Sequence, residues 1–252
     1  MRILLQTAFL GLALMALAGC ESRSISDSGY QEPNWGGGAN PGSNPMYQGE
    51  LSAYDVLGAD SQTGFSDADI QRALASKQPI VIKPGSPVML VQSGALFADP
   101  EMIAALGKHY QISSFTGVPR AEDRIGGKEQ PPAPPYSQVF RMAAAKGGFG
   151  IIIVYWGVLE SAPEGLPTKG ISWVPIIGGV IPDQMQRMRI RLIAAIIDVR
   201  SGQWETYVPE PFEDNSISNQ QNRAASDQGQ VEELKTEGYQ ALAEGIATRY
   251  GG

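Results

Sequence analysis

The 252-residue sequence has almost no cysteine or histidine: Cys20 and His109 are the single residues of each type. One cysteine excludes a disulfide within the chain and any cysteine-rich zinc site. One histidine excludes a multi-histidine metal site, so we predict no bound metal ion. His109 follows a predicted helix, where a basic side chain interacts favourably with the helix dipole.

Positive charge is also scarce, with 19 lysines and arginines against 26 acidic residues and a net charge of -7. A nucleic-acid-binding surface needs a basic stripe, so the composition predicts no nucleic-acid partner. The sequence lacks the G-x-x-x-x-G-K-[ST] and G-x-G-x-x-G phosphate loops and the G-x-S-x-G nucleophile elbow. We therefore predict no cofactor, assign no catalytic residue and expect a protein that is not an enzyme. A Ser-His-Asp triad stays open, because its members need not be adjacent in sequence.

The amino terminus carries Arg2 and then an apolar run over residues 3–18. Sixteen residues are fewer than the roughly 20 that a membrane-spanning helix needs. The length is typical of the apolar region of a secretory signal peptide, and small residues precede Cys20. The pattern predicts a signal peptide over residues 1–19.

The sequence LAGC that ends this run resembles the lipobox of bacterial lipoproteins. The resemblance implies that Cys20 carries fatty-acid chains such as palmitate and becomes the first mature residue. Each buried CH₂ contributes about 0.8 kcal/mol, so two or three chains give a stable membrane anchor. In such lipoproteins an aspartate after the cysteine favours inner-membrane retention. Glu21 at this position therefore implies an outer-membrane anchor, with the protein facing the periplasm. The alternative to a lipidated Cys20 is a buried free cysteine in an ordinary helix.

Residues 20–48 are rich in serine, glycine, asparagine and proline and contain few aliphatic side chains. Such a segment buries too little apolar surface to offset the entropy of ordering. We therefore predict a lipidated flexible tether over residues 20–48 and a folded domain over residues 49–252.

Apolar segments alternate with helical patterns through the folded domain. GIIIVYWGV at 150–158 is apolar without alternation, which is typical of a strand covered on both faces. MRIRLIAAIIDV at 188–199 predicts a second long strand, and WETYVPE at 204–210 its hairpin partner. Helices are predicted to begin at Ser66, at Asp99 and near Gln230. The order predicts an α/β fold with a single mixed β-sheet packed by helices, preceded by the signal peptide and the disordered tether.

PVMLVQSGAL, FRMAAAKGGFGIIIVYWGVLES and MRIRLIAAIIDVRSGQW together resemble a group of envelope proteins. The group comprises the curli-secretion-channel lipoprotein, the amino-terminal domain of TolB and the lipoprotein activators of penicillin-binding proteins. The resemblance covers roughly residues 80–250 and implies a binding or scaffolding module. The channel inserts amphipathic hairpins into the membrane, whereas residues 157–184 contain four prolines and no ten-residue alternating segment. A subunit of a secretion assembly is therefore kept only as an alternative.

Residues 157–184 form a connection far longer than the usual 2–6 residues between strands. Trp173, Ile176 and Ile177 concentrate apolar side chains beside proline and glycine. Such a patch folds back on the domain, enters lipid or contacts another protein. We predict contact with an envelope protein or with a second copy, with Trp173 as the anchor.

Glu160 offers an alternative from a different functional class. It ends the predicted central strand, where α/β sites often lie, and an envelope hydrolase would need a second carboxylate nearby. A basic stripe of Arg187, Arg189 and Arg191 alternates along the other long strand. The stripe predicts either an anionic partner, such as lipid headgroups, or a solvated sheet face.

Overall fold

The computed structural model describes residues 23–28, 47–58, 66–120, 134–163, 174–175, 185–214 and 223–252. The helices are α1 (Ala53–Leu57), α2 (Asp67–Ala75), α3 (Pro100–Gly107), α4 (Tyr136–Gly147) and α5 (Arg223–Tyr250). The strands are β1 (Pro87–Gln92), β2 (Gln111–Phe115), β3 (Ile151–Pro163), β4 (Val174–Pro175), β5 (Met185–Asp198), β6 (Trp204–Tyr207) and β7 (Phe212–Asp214).

The strands form one mixed sheet in the order β2-β1-β3-β5-β6. Strand β1 pairs parallel with β2 and β3, whereas β3 with β5 and β5 with β6 pair antiparallel. Strand β4 pairs with β3, and β7 pairs with β5. The prediction of an α/β fold with a single mixed sheet packed by helices is confirmed.

Strands β3 and β5 form the centre of the sheet and pair along almost their whole length. Ile152 and Ile153 are both fully buried but belong to different core layers, because neighbouring side chains in a strand point to opposite faces. This confirms the strand with two covered faces that the unbroken apolar run predicted.

The first face of the sheet packs against α3 and α5. Helix α5 contributes Leu234, Tyr239, Leu242 and Ile246, all fully buried in this layer. None of the helices within the described parts of the chain is both long enough and apolar enough to cross a bilayer.

The second face packs against α1 and α4, which cover only part of it. Val56 of α1 and Phe140 of α4 lie against Ile152 and Val154 of β3 in this layer. Helix α4 ends at Gly148, whose φ of 79° is the left-handed conformation that favours glycine at a helix end. On this face, the part of β3 after Val154 and the part of β5 that pairs with it carry charged and partly exposed side chains instead of buried apolar ones.

The prediction of a flexible tether over residues 20–48 is wrong for residues 23–28, here called the docked segment. Ile25–Asp27 form a 3₁₀ turn, and the Ile25 side chain is fully buried in the first core layer. Ser24 pairs with Val158, and the Arg23 carbonyl accepts a hydrogen bond of 3.1 Å from the Leu159 N–H. The prediction assumed that a polar segment cannot offset the entropy cost of ordering. Burial of one isoleucine and these backbone hydrogen bonds offset that cost here.

Candidate functional site

The docked segment occupies the crevice where open α/β sheets usually bind ligands. After β1 the chain forms β2 on one side and β3 on the other, so the strand order reverses at β1. Ser26 Oγ lies at the carboxyl end of β1, where it donates to the Ser93 carbonyl at 2.5 Å and accepts from Gln92 Nε2 at 3.0 Å. The protein thus fills this position with its own amino-terminal residues.

A buried polar network continues from Gln92 towards helix α5. Gln92 Oε1 accepts hydrogen bonds from the Tyr155 hydroxyl and, at 2.7 Å, from the Asp99 N–H. Asp99 Oδ2 accepts from the Tyr239 hydroxyl at 2.7 Å and from Lys235 Nζ at 2.8 Å. Burial raises the pKa of Tyr155 and of Tyr239 well above the usual value, so both hydroxyls stay protonated donors.

Glu50 joins the docked segment to the chain that follows it. The Ser24 hydroxyl donates a hydrogen bond to Glu50 Oε1, and the Leu51 N–H donates to Ser93 Oγ at 2.8 Å. Burial raises the pKa of Glu50, and hydrogen bonds from Ser24 and Ser93 act in the opposite direction. Glu50 is therefore a carboxyl group whose charged form is disfavoured by its surroundings.

A cavity of about 380 Å³ lies between the docked segment and strand β5. Glu50 and Arg191 place a carboxyl group and a guanidinium group on its wall, and the remaining surface is mainly apolar. Its lining residues are Ser24, Glu50, Trp156, Gly157, Val158, Arg191, Leu192, Ile193 and Val208. Apolar walls with a few polar groups are typical of sites that bind other molecules.

Glu160 is buried and held by two arginines of the predicted basic stripe. Its Oε2 lies 2.5 Å from Arg189 Nε, and its Oε1 lies 3.5 Å from an Arg191 guanidinium nitrogen. Both oxygens therefore face cations, so Glu160 is part of an ion-pair cluster. The prediction that Glu160 ends the central strand is wrong, because β3 continues to Pro163 and pairs with β5 over these last residues. The side chain of Arg187, the third member of the stripe, is outside the described set.

Three exposed apolar side chains lie on the second sheet face along β5, β6 and the residue after β6, and two of them, Ile193 and Val208, also line the cavity. Ile193 is 38% exposed, Trp204 43% and Val208 56%. The pairing of Ile197 with Trp204 and of Ala194 with Tyr207 places all three on the same face. We call Ile193, Trp204 and Val208 the β5–β6 patch.

The predicted lipidation residue Cys20 and the predicted contact residues Trp173, Ile176 and Ile177 lie outside the described residues. Strand β4 comes from the same long connection and pairs with Glu160 and Ser161 of β3. Across the described parts of the chain, no cluster of three or more His, Cys, Asp or Glu side chains suits a metal ion.

A model of the YafT bacterial lipoproteins matches residues 52–249. The chain belongs to the YafT bacterial lipoprotein family. Membership confirms the prediction of a bacterial lipoprotein and, with it, a membrane-associated protein of the cell envelope. The matched range contains α1 to α4, the seven described strands and α5 except for its last residue, whereas the docked segment lies before it.

Among solved structures, this YafT-family chain is similar to the PelC dodecamer of Paraburkholderia phytofirmans at 11% sequence identity. The match covers 64% of this chain and 92% of the PelC chain, with a TM-score of 0.28. A TM-score this low does not establish a shared fold or a shared assembly. No curated protein sequence matches the chain.

Proposed function

We propose that this YafT-family protein is a lipid-anchored binding or scaffolding module of the bacterial outer membrane that faces the periplasm. Family membership supports the anchor, and Cys20 is the only cysteine that can carry it. Glu21, in place of an aspartate after the cysteine, supports localisation to the outer membrane. The signal peptide over residues 1–19 supplies export, because LAGC places the processing site directly before Cys20.

The observation that carries the binding role is the β5–β6 patch beside the cavity. Soluble protein surfaces rarely leave large apolar side chains grouped on one sheet face unless a partner covers them. Trp204 adds an aromatic side chain of the type that dominates interface energetics. The partner we propose is another envelope protein, which contacts this patch together with Trp173, Ile176 and Ile177; a second copy of the chain is the alternative partner.

Binding is proposed rather than catalysis because the best acidic candidate is already engaged. Glu160 interacts with Arg189 and Arg191 through both carboxylate oxygens. A glycosidase-type acid must be free to exchange a proton with substrate.

The test is photo-crosslinking in intact cells with a photoreactive amino acid at position 208. Val81 is the matched control, because it is also a valine and is 54% exposed but lies outside the patch. We expect a crosslinked product from position 208 and none from position 81. Mass spectrometry then distinguishes a second protein from a second copy. Equal products from both positions, or none from 208, contradict the proposal.

Trp173→Ala tests the contribution of the long connection to the same contact. We expect unchanged circular dichroism and loss of the crosslinks from position 208. A variant that loses its fold indicates that Trp173 packs in the core instead. Unchanged behaviour in both assays removes Trp173 from the contact.

A further inference from the structure

We infer that the docked segment is a clamp that holds the folded domain against the bilayer surface. The inference rests on the proposed lipidation of Cys20 and goes beyond it, because a lipid anchor alone does not set the height of a domain. A flexible tether lets the domain reach partners farther from the membrane. A clamp restricts it to partners that lie at the membrane–water interface.

The clamp is built from buried contacts of several kinds. The Ile25 side chain is fully buried and contacts Gly157 and Leu192 of the two central strands. Ser26 exchanges hydrogen bonds with the end of β1, and the Ser24 hydroxyl donates to the half-buried Glu50 carboxyl group. The Arg23 end of the segment is held as well, because the Leu159 N–H donates to the Arg23 carbonyl. Within the segment, the Ser28 hydroxyl closes the turn by donating to the Ile25 carbonyl at 2.6 Å.

The number of residues between the anchor and the clamp sets the height of the domain. Arg23 lies three positions after Cys20, and three extended residues span at most about 10–11 Å. A free chain from Cys20 to Tyr47 contains 27 steps and has an average span of about 26–31 Å. The docked segment therefore brings the domain closer to the bilayer by more than a factor of two.

The clamp also determines which end of the domain faces the lipid. The Arg23 carbonyl bonds to Leu159, and the next positions of that β3 edge, Glu160 and Ser161, pair with β4. At Arg23 the docked segment, read towards the amino terminus, is directed to the end of the sheet where β3 approaches Pro163. The amino ends of the parallel strands, next to Lys108, lie at the opposite end.

Two matched insertions test the clamp in the full-length lipidated protein. Twelve glycine and serine residues are inserted either between Ser22 and Arg23 or between Gly37 and Gly38. A donor dye is attached at Lys108→Cys, a unique thiol because Cys20 is acylated, and phospholipid vesicles carry the acceptor dye. Energy transfer then reports the height of the domain.

We expect the first insertion to lower energy transfer, because the chain between anchor and clamp then averages about 19–23 Å. The second insertion lies after the clamp and should leave energy transfer unchanged. Equal losses from both insertions show one continuous free tether and overturn the inference. No loss from either insertion shows that another contact sets the height, which also overturns it.

Vesicle flotation separates this inference from the proposed anchor. Protein that fails to float with vesicles contradicts lipidation at Cys20. Protein that floats but shows equal losses contradicts the clamp alone. Matching urea unfolding midpoints for both insertions establish that neither has disturbed the fold.

Discussion

The side chain of Ile25 lies in the space that Gly157 leaves open in the centre of strand β3. A Cβ atom built on Gly157 would lie 2.8 Å from Ile25 Cγ2, 2.9 Å from Ile25 Cδ1 and 2.7 Å from Leu192 Cδ2. These distances are shorter than van der Waals contact, so any larger residue at position 157 must displace its neighbours. A residue close to the amino terminus and a residue of the central strand therefore form one packing unit.

The first prediction is that Ile25 and Gly157 are energetically coupled. Ile25→Ala should lower the free energy of unfolding by about 2–5 kcal/mol, and Gly157→Ala by about 1–3 kcal/mol. In the double variant the cost should be less than the sum, because the shortened side chain at position 25 no longer occupies the space that a methyl group at position 157 needs. Urea unfolding of the four proteins measures this coupling. Strict additivity contradicts the contact.

The second prediction concerns the pH dependence of stability at Glu50. Burial raises the pKa of Glu50 in the folded state above its usual value of about 4.5, so folding favours the neutral acid. Its contribution to stability is full below the usual pKa and is lost as pH rises through the raised pKa. The free energy of unfolding of the wild type minus that of Glu50→Gln should therefore decrease as the pH rises above about 4.5. Urea unfolding of both proteins across this pH range measures the difference. A difference that stays constant or increases with pH contradicts the prediction.

The third prediction tests the two covered faces of β3. Ile152→Ala and Ile153→Ala should each lower the free energy of unfolding by about 2–5 kcal/mol, because both side chains are fully buried in opposite layers. Val81→Ala is the exposed control and should change it by less than about 0.5 kcal/mol. If one isoleucine variant behaves like the control, the corresponding layer is not packed.

The fourth prediction concerns the buried polar network. Tyr155→Phe removes the hydrogen bond to Gln92 Oε1 and should cost about 0.5–1.5 kcal/mol. Tyr54→Phe removes the same group from an exposed side chain and should have almost no effect. Thermal unfolding of the two variants measures the difference. Equal melting temperatures would show that the Tyr155 hydroxyl contributes nothing.

The fifth prediction concerns the anchor. Cys20→Ser should abolish incorporation of labelled fatty acid and stop signal-peptide removal at this site. Glu21→Gln serves as the control, since it keeps the cysteine and should still take up label. Label on the Cys20→Ser protein would show that lipid is attached elsewhere.

The sheet could be predicted because its signals are local. The apolar run of β3 indicated a strand covered on both faces, and that of β5 indicated a second long strand. Ser66 and Asp99 marked the starts of α2 and α3. The docked segment could not be predicted from average composition. Ile25 is the only leucine, isoleucine or valine in residues 21–48, and its binding space is made by residues more than 130 positions away.

The candidate site was missed for the same reason. Its cavity combines Ser24 and Glu50 with Trp156, Arg191 and Val208, which only the folded sheet brings together. Glu160 was recognised as a candidate carboxylate, but it lies inside β3, and its ion pairs depend on the antiparallel register with β5. Cross-strand register over a connection of this length is not readable from one sequence.

The pairing of Ser24 with Val158 has a consequence for work with a shortened protein. Strand β1 stops at Gln92, so beyond that point the β3 edge towards β1 is covered by the docked segment and then by β4. A recombinant domain that begins at residue 49 exposes the Leu159 N–H and an apolar hollow at Gly157. Open strand edges of this kind are templates for edge-to-edge aggregation. Self-association of such a fragment would result from the loss of the docked segment and would not reflect the assembly of the intact lipoprotein.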